Sequence, residues 1–126
     1  MKLRIRGDSL RLRLSQGDVR SLSEEGSVAQ TTRFAPGDDG ELVCTLVGDS
    51  GAVALTAELE ARTIRVRMPI DLVRLLAHTE EVGVRAEQDT GDGRTLVILV
   101  EKDFECIAPR LGEPETDGFP NPRAEC

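Results

Sequence analysis

Tryptophan and tyrosine are absent from this chain, and phenylalanine occurs only three times. Aromatic platforms carry the base stacking on which most single-stranded nucleic-acid readers rely, so that class is excluded, together with sugar sites built on the same surfaces. A single histidine removes any site that needs two imidazoles. No apolar run approaches the ~20 residues needed to cross a bilayer. The N-terminus alternates charge with apolar residues where a signal peptide would have a continuous apolar stretch. No membrane segment is expected, and the chain is assigned to the cytoplasm. Cys44, Cys106 and Cys126 are then expected as reduced thiols, since three cysteines make no disulfide framework.

What is present suits one soluble globular domain. A length of 126 residues leaves no room for two lobes with a cleft between them. Hydrophobic residues at 39% can fill a core and charged residues at 31% can clothe it. The net charge of −7 argues against a surface that wraps DNA or RNA by counterion release, so no nucleic-acid partner is expected. That charge is unevenly spread. In residues 1–20, Lys2, Arg4, Arg6, Arg11, Arg13 and Arg20 stand against Asp8 and Asp18, which leaves +4 there and −11 on the rest. Attraction between an arginine-rich beginning and an acid-rich remainder is available inside one molecule.

Sliding the chain against itself by 54 positions aligns residues 10–46 with 64–100 without a gap. Arg11, Arg13, Val19, Arg20, Leu22, Val28, Gly37, Asp38, Leu42 and Val43 fall on identical residues in the second half, where roughly two identities would arise by chance. We read an internal duplication, with one repeat over about residues 1–50 and the other over about 51–104. In each, Leu10-Arg-Leu-Arg-Leu14 and Ile64-Arg-Val-Arg-Met68 alternate apolar with charged, as a strand between core and polar surroundings does. Ser15 with Asp18 can cap a first short helix, Pro69 suits the start of a second, and Gly26 can stop the first.

Two strands and a glycine-bearing turn follow each helix: residues 28–34 then 42–47, and 82–88 then 96–100. The apolar returning strands, 42–47 and 96–100, are expected in mid-sheet with both faces covered. Leading strands over 2–6 and 52–60 complete two ββαββ units. The expectation is an α+β domain over residues 1–107, with about eight mainly antiparallel strands as a sheet or barrel and two short helices. Residues 108–126, rich in proline, glycine and acids, read as an irregular tail.

The stretch Met1-Lys-Leu-Arg-Ile-Arg-Gly-Asp-Ser-Leu-Arg-Leu-Arg-Leu14 resembles the opening of a family of small bacterial proteins of unknown function. Glu101-Lys-Asp-Phe-Glu-Cys106, Asp117-Gly-Phe-Pro-Asn-Pro122 and Cys126 extend the likeness over the whole chain. Members usually carry Asn where this chain has Asp8, and often Tyr at the position of Phe119. The resemblance implies no reaction, and it makes the tail part of the protein.

Arg4, Arg6, Arg11, Arg13, Arg65 and Arg67, with Arg85 as a further member, project from the non-core face of strands. Glu58, Glu60, Glu87 and Glu101 sit on strands that can neighbour them. One reading is a solvated sheet face laced by cross-strand ion pairs, each contributing about 0.2 to 1 kcal/mol. The other is an anion site inside a closed barrel, an architecture that resembles the triphosphate tunnel enzymes, where basic residues hold phosphates and acidic ones hold divalent metal. Such a lumen would need water, counter-charges or a bound anion, because unpaired buried ions cost several kcal/mol each.

Cys106 and Cys126 could supply two ligands of a metal site or a reversible bridge, although no CxxC pair exists and packing thiols explain them better. Cys44 belongs to the core, and His78 suits a helix C-terminus. No nucleophile elbow, phosphate-binding glycine loop or dinucleotide fingerprint is present, and no cofactor is expected. The function expected is a non-enzymatic binding module that docks on another protein or on a second copy of itself. The alternative is a phosphate-binding protein or metal-dependent polyphosphate hydrolase.

Overall fold

Alternation at period two sends one set of side chains into the core and the other to the surface, and the strands at the centre of the molecule obey it. The computed structural model describes residues 1–104. Strands β1 (Lys2–Arg6) and β2 (Ser9–Leu14) form a hairpin, and helix α1 (Gln16–Glu25) follows. Then come β3 (Ser27–Arg33), a 3-10 turn at Asp38–Gly40 and β4 (Glu41–Asp49). The second half repeats the order with β5 (Thr56–Glu60), β6 (Thr63–Pro69), α2 (Ile70–His78), β7 (Gly83–Asp89) and β8 (Thr95–Lys102). Eight strands and two helices make the α+β fold expected.

Local chemistry sets the helix ends. Ser15 accepts the amide hydrogen of Asp18, whose carboxylate accepts that of Ser15, and Gly26 closes the helix in the left-handed region at φ 88°. The carboxylate of Asp18 also meets the N-terminal ammonium at 2.7 Å. Burial pushes this carboxyl up, but the ammonium and the Ser15 contacts outweigh it, so Asp18 lies below its ordinary range. Pro69 stands immediately before α2, where its missing N–H costs nothing.

The strands do not form one sheet. They form two four-stranded sheets, sheet A in the order β1-β2-β8-β7 and sheet B in the order β3-β4-β6-β5. Each half gives one hairpin to each sheet, and each helix carries the chain from one sheet to the other. At the centre of each sheet the halves meet in a parallel pair, β2 with β8 and β4 with β6. Leu10 pairs with Ile98 and Ile64 with Cys44, the same match displaced by 54 residues. Lys2 with Arg13 and Thr56 with Arg67 repeat it in the hairpins.

The ungapped comparison fails at one strand. Leu46 pairs with Val28, while its counterpart Val100 pairs with Val84, so Val28 corresponds to Val84 and not to Val82. The longer link after α2 displaces β7 by two residues, and the shorter β7–β8 turn takes them back. A one-residue slip would have turned every side chain of β7 over, whereas two preserve the alternation.

Leu10, Leu12, Leu14, Ile98 and Val100 from sheet A meet Cys44, Leu46, Val66 and Met68 from sheet B in one core, joined by Leu22, Val73, Leu76 and Leu55. The returning strands β4 and β8 are interior as expected, but only one face of each is buried, because their outward residues Val43, Thr45, Val97 and Leu99 stay half-exposed. No barrel closes. Between β5 and β7 a side chain stands in for a ladder: Gln88 accepts the Ala57 N–H at 2.7 Å and donates to the Ala57 carbonyl at 2.9 Å. Among the described residues no helix is long and apolar enough to cross a membrane.

Candidate functional site

Alternation places the six arginines singled out from the sequence on outer faces, but on two different sheets. Arg4, Arg6, Arg11 and Arg13 belong to sheet A, and Arg65 and Arg67 to sheet B. The buried core lies between the two sets, so the six do not converge on one enclosed volume. The tunnel-like lumen would have required the sheets to close, and they are separate.

The two sets also differ in what faces them. On sheet B, Glu58 stands directly across from Arg65 in the β5–β6 ladder. Its Oε1 takes Arg65 at 3.2 Å and Arg67 at 3.0 Å, and Asp49 lies 3.4 Å from Arg67. Hydrogen bonds from Arg65 and then Arg67 hold the Glu58 carboxyl below its ordinary range. Arg33 and Glu41 form a further pair on this face. Sheet B is therefore a solvated face laced by cross-strand ion pairs.

Sheet A is not. Its outer face carries three cross-strand rows: Lys2, Arg13, Glu101 and Gly83; Arg4, Arg11, Leu99 and Arg85; Arg6, Ser9, Val97 and Glu87. Arg4 is directly opposite Arg11, and Lys2 directly opposite Arg13, an arrangement of like charges that weakens a ladder. The 54-residue correspondence supplies an internal comparison: Glu58 holds the place of Arg4, Glu60 that of Arg6 and Thr56 that of Lys2. Where sheet B alternates sign across its hairpin, sheet A repeats it.

Partial compensation comes from β7 and β8. Arg11 Nε lies 2.8 Å from Glu101 Oε1, a charge contact in which the N–H is not aligned for a hydrogen bond. Arg85 meets Glu87 at 3.3 Å, and Lys2 meets Asp103 at 2.7 Å. The guanidinium groups of Arg4, Arg6 and Arg13 have no ionic or hydrogen-bonded partner among the described residues. A cationic face thus sits on a protein of net charge −7.

One contributor escaped the sequence reading of this face: Lys2, which shares the parity of Arg4 and Arg6 and was legible on that ground. Glu101 was named there as an acid able to neighbour the arginines, but that Arg11 would be its partner was not legible, because nothing local announces that β2 pairs with β8. A groove of about 450 Å³ was also missed; it opens between α1 and α2 where the chain leaves β8, lined by Leu14, Val19, Leu76 and Phe104. His78 is on its rim at the end of α2, as the helix reading required.

Among the described residues no three His, Cys, Asp or Glu side chains gather so as to hold a metal ion. Cys106 and Cys126, the two cysteines offered as metal ligands, lie outside the described residues, as does the 108–126 tail. Cys44 is buried in β4, and burial pushes its thiol up to about 11, which leaves it a packing group.

No curated protein and no solved structure matches the chain. A family model does, over residues 1–123, and the chain accordingly belongs to DUF7009, a family of unknown function.

Proposed function

We propose that this protein is a non-enzymatic binding module whose sheet A outer face docks on an acidic surface of another protein. The observation that carries the reading is the β1–β2 hairpin. Arg4 stands across from Arg11 and Lys2 from Arg13, while the corresponding hairpin of sheet B is neutralised by Glu58. Like charges directly opposed cost stability, so a fold that also holds the paired solution in its other half supports a use for the unpaired one. The twisted sheet presents Arg4, Arg6 and Arg13 from two adjacent strands, a spacing suited to carboxylates on an extended chain or a helix face. Val97 and Leu99 between them supply an apolar strip against which a partner can exclude water.

Poly-glutamate of about twenty residues is the probe. Fluorescence anisotropy at low salt is expected to show binding that weakens as sodium chloride is raised, with Arg4→Glu and Arg13→Glu abolishing it and Arg65→Glu leaving it intact. Equal loss from Arg65→Glu would place the binding elsewhere and overturn the assignment. Tripolyphosphate runs as a parallel arm: a thermal shift with it, and none with poly-glutamate, favours the phosphate-ligand alternative. Sedimentation across concentration tests whether the acidic surface engaged is that of a second copy.

A further inference from the structure

We infer that the acidic segment Glu113–Asp117 of this chain is itself a ligand of the sheet A face, so that an outside partner must displace it. This inference rests on the docking role proposed above and adds its regulation. Three observations converge on it. The chain leaves β8 toward β1: the Asp103 N–H donates to the Leu14 carbonyl at 2.8 Å, and the Asp103 carboxylate meets Lys2 at 2.7 Å, the first cation of the face. Residues 105–126 carry five acids, Glu105, Glu113, Glu115, Asp117 and Glu125, against Arg110 and Arg123, so they oppose the sign of that face. Finally, Glu113, Glu115 and Asp117 recur at every second residue, as Lys2, Arg4 and Arg6 do on β1.

Lys2, Arg4 and Arg6 stand ~6.6 Å apart along β1, a spacing that a ligand with an acid at every second residue can match. Pro114 has no N–H and cannot continue a ladder at that point, so recognition runs through the carboxylates and not the backbone. Reach is sufficient. Residues 105–112 extend to ~26 Å, while crossing from β8 over β2 to the outside of β1 takes about three strand spacings, or ~14 Å. In sheet B the same charge is supplied within the sheet by Glu58 and Glu60 of β5, which hold the places of Arg4 and Arg6. In sheet A the tail supplies it from outside, and a segment tethered so closely acts at millimolar effective concentration.

The test uses the full chain with Glu113→Gln, Glu115→Gln and Asp117→Asn combined, and poly-glutamate as probe. A control with the same change in net charge carries Asp38→Asn, Asp39→Asn and Glu60→Gln, none of which belongs to sheet A. A face occupied nine-tenths of the time hides affinity by about tenfold, and the tail variant is expected to recover that factor while the control recovers little. Carbodiimide coupling with peptide mapping gives the second readout: in the unmodified sequence Lys2 is expected to join Glu113, Glu115 or Asp117, and 1 M salt to suppress the product. Probe binding that rises no more in the tail variant than in the control overturns the inference and leaves the docking role standing. Probe binding to neither variant, with the Lys2 cross-links still formed, overturns the docking role and upholds the tail contact. Absence of those cross-links at low salt overturns the tail contact.

Discussion

Arg4→Glu converts the β1–β2 hairpin of sheet A to the charge pattern of its counterpart in sheet B. Arg4 is exposed and directly opposite Arg11, as Glu58 is opposite Arg65. Two like unit charges ~6 Å apart in water repel by roughly 0.7 kcal/mol, and an opposite pair across a ladder contributes roughly 0.2 to 1 kcal/mol. Exchanging repulsion for attraction therefore stabilises the fold by about 1 kcal/mol at low ionic strength, which raises Tm by roughly 3 to 6 °C for a domain of this size. Arg4→Gln, which relieves repulsion without adding attraction, should give about half as much. In 1 M salt, where the screening length is ~3 Å, most of the gain should vanish.

The measurement is made by urea and thermal unfolding in the background of Glu113→Gln, Glu115→Gln and Asp117→Asn, so that only the hairpin responds. With the native tail restored the gain should shrink, and the difference between the two backgrounds measures coupling between Arg4 and the tail. The variant should thus be more stable and yet unable to bind poly-glutamate. If Arg4→Glu with native circular dichroism is no more stable than its parent in the neutralised background, the reasoning from opposed charges is refuted.

Leu12 is fully buried in β2, so Leu12→Ala should cost about 2 to 5 kcal/mol in urea unfolding, and a loss below 1 kcal/mol would show that the core collapses around the gap. Gln88→Ala removes both hydrogen bonds that join β7 to β5 and should cost about 1 to 3 kcal/mol, with faster hydrogen exchange at Ala57. In a Cys106→Ser, Cys126→Ser variant, Cys44 should be silent toward a disulfide reagent at pH 8 and react fully once unfolded, since its thiol titrates near 11; native-state labelling within minutes would contradict its burial. Glu58 is held below its ordinary pKa of 4.5, so its contribution is complete above that value and lost as pH falls through the lower folded one. Wild-type stability should therefore drop more steeply between pH 5 and pH 3 than that of Glu58→Gln, as followed by urea midpoints.

Much of this protein could be read locally. Ser15 with Asp18, Gly26 and Pro69 mark helix ends because caps and breakers act within four residues. The alternation in Leu10-Arg-Leu-Arg-Leu14 and its counterpart marks strands with a buried and a wet face because consecutive side chains on a strand must diverge. That the arginines lie outside the core follows from the same rule. Correspondence at 54 residues was legible too, apart from β7, where two residues moved from one turn to another leave the side-chain parity unchanged and so leave no trace in the pattern.

Strand partnership was decided elsewhere. Whether β2 pairs with β8 or with β6 depends on contacts nearly ninety residues apart along the chain, and any two strands of like alternation satisfy the local pattern equally. That choice separates Arg4 and Arg11 from Arg65 and Arg67, sets Glu101 beside Arg11, and leaves Arg65 and Arg67 both balanced by Glu58 while Arg4 has no ionic partner among the described residues. The charges were written in the sequence; their neighbours were set by the core, because burying Leu12, Leu46, Val66 and Val100 together outweighs any preference of the surface above them.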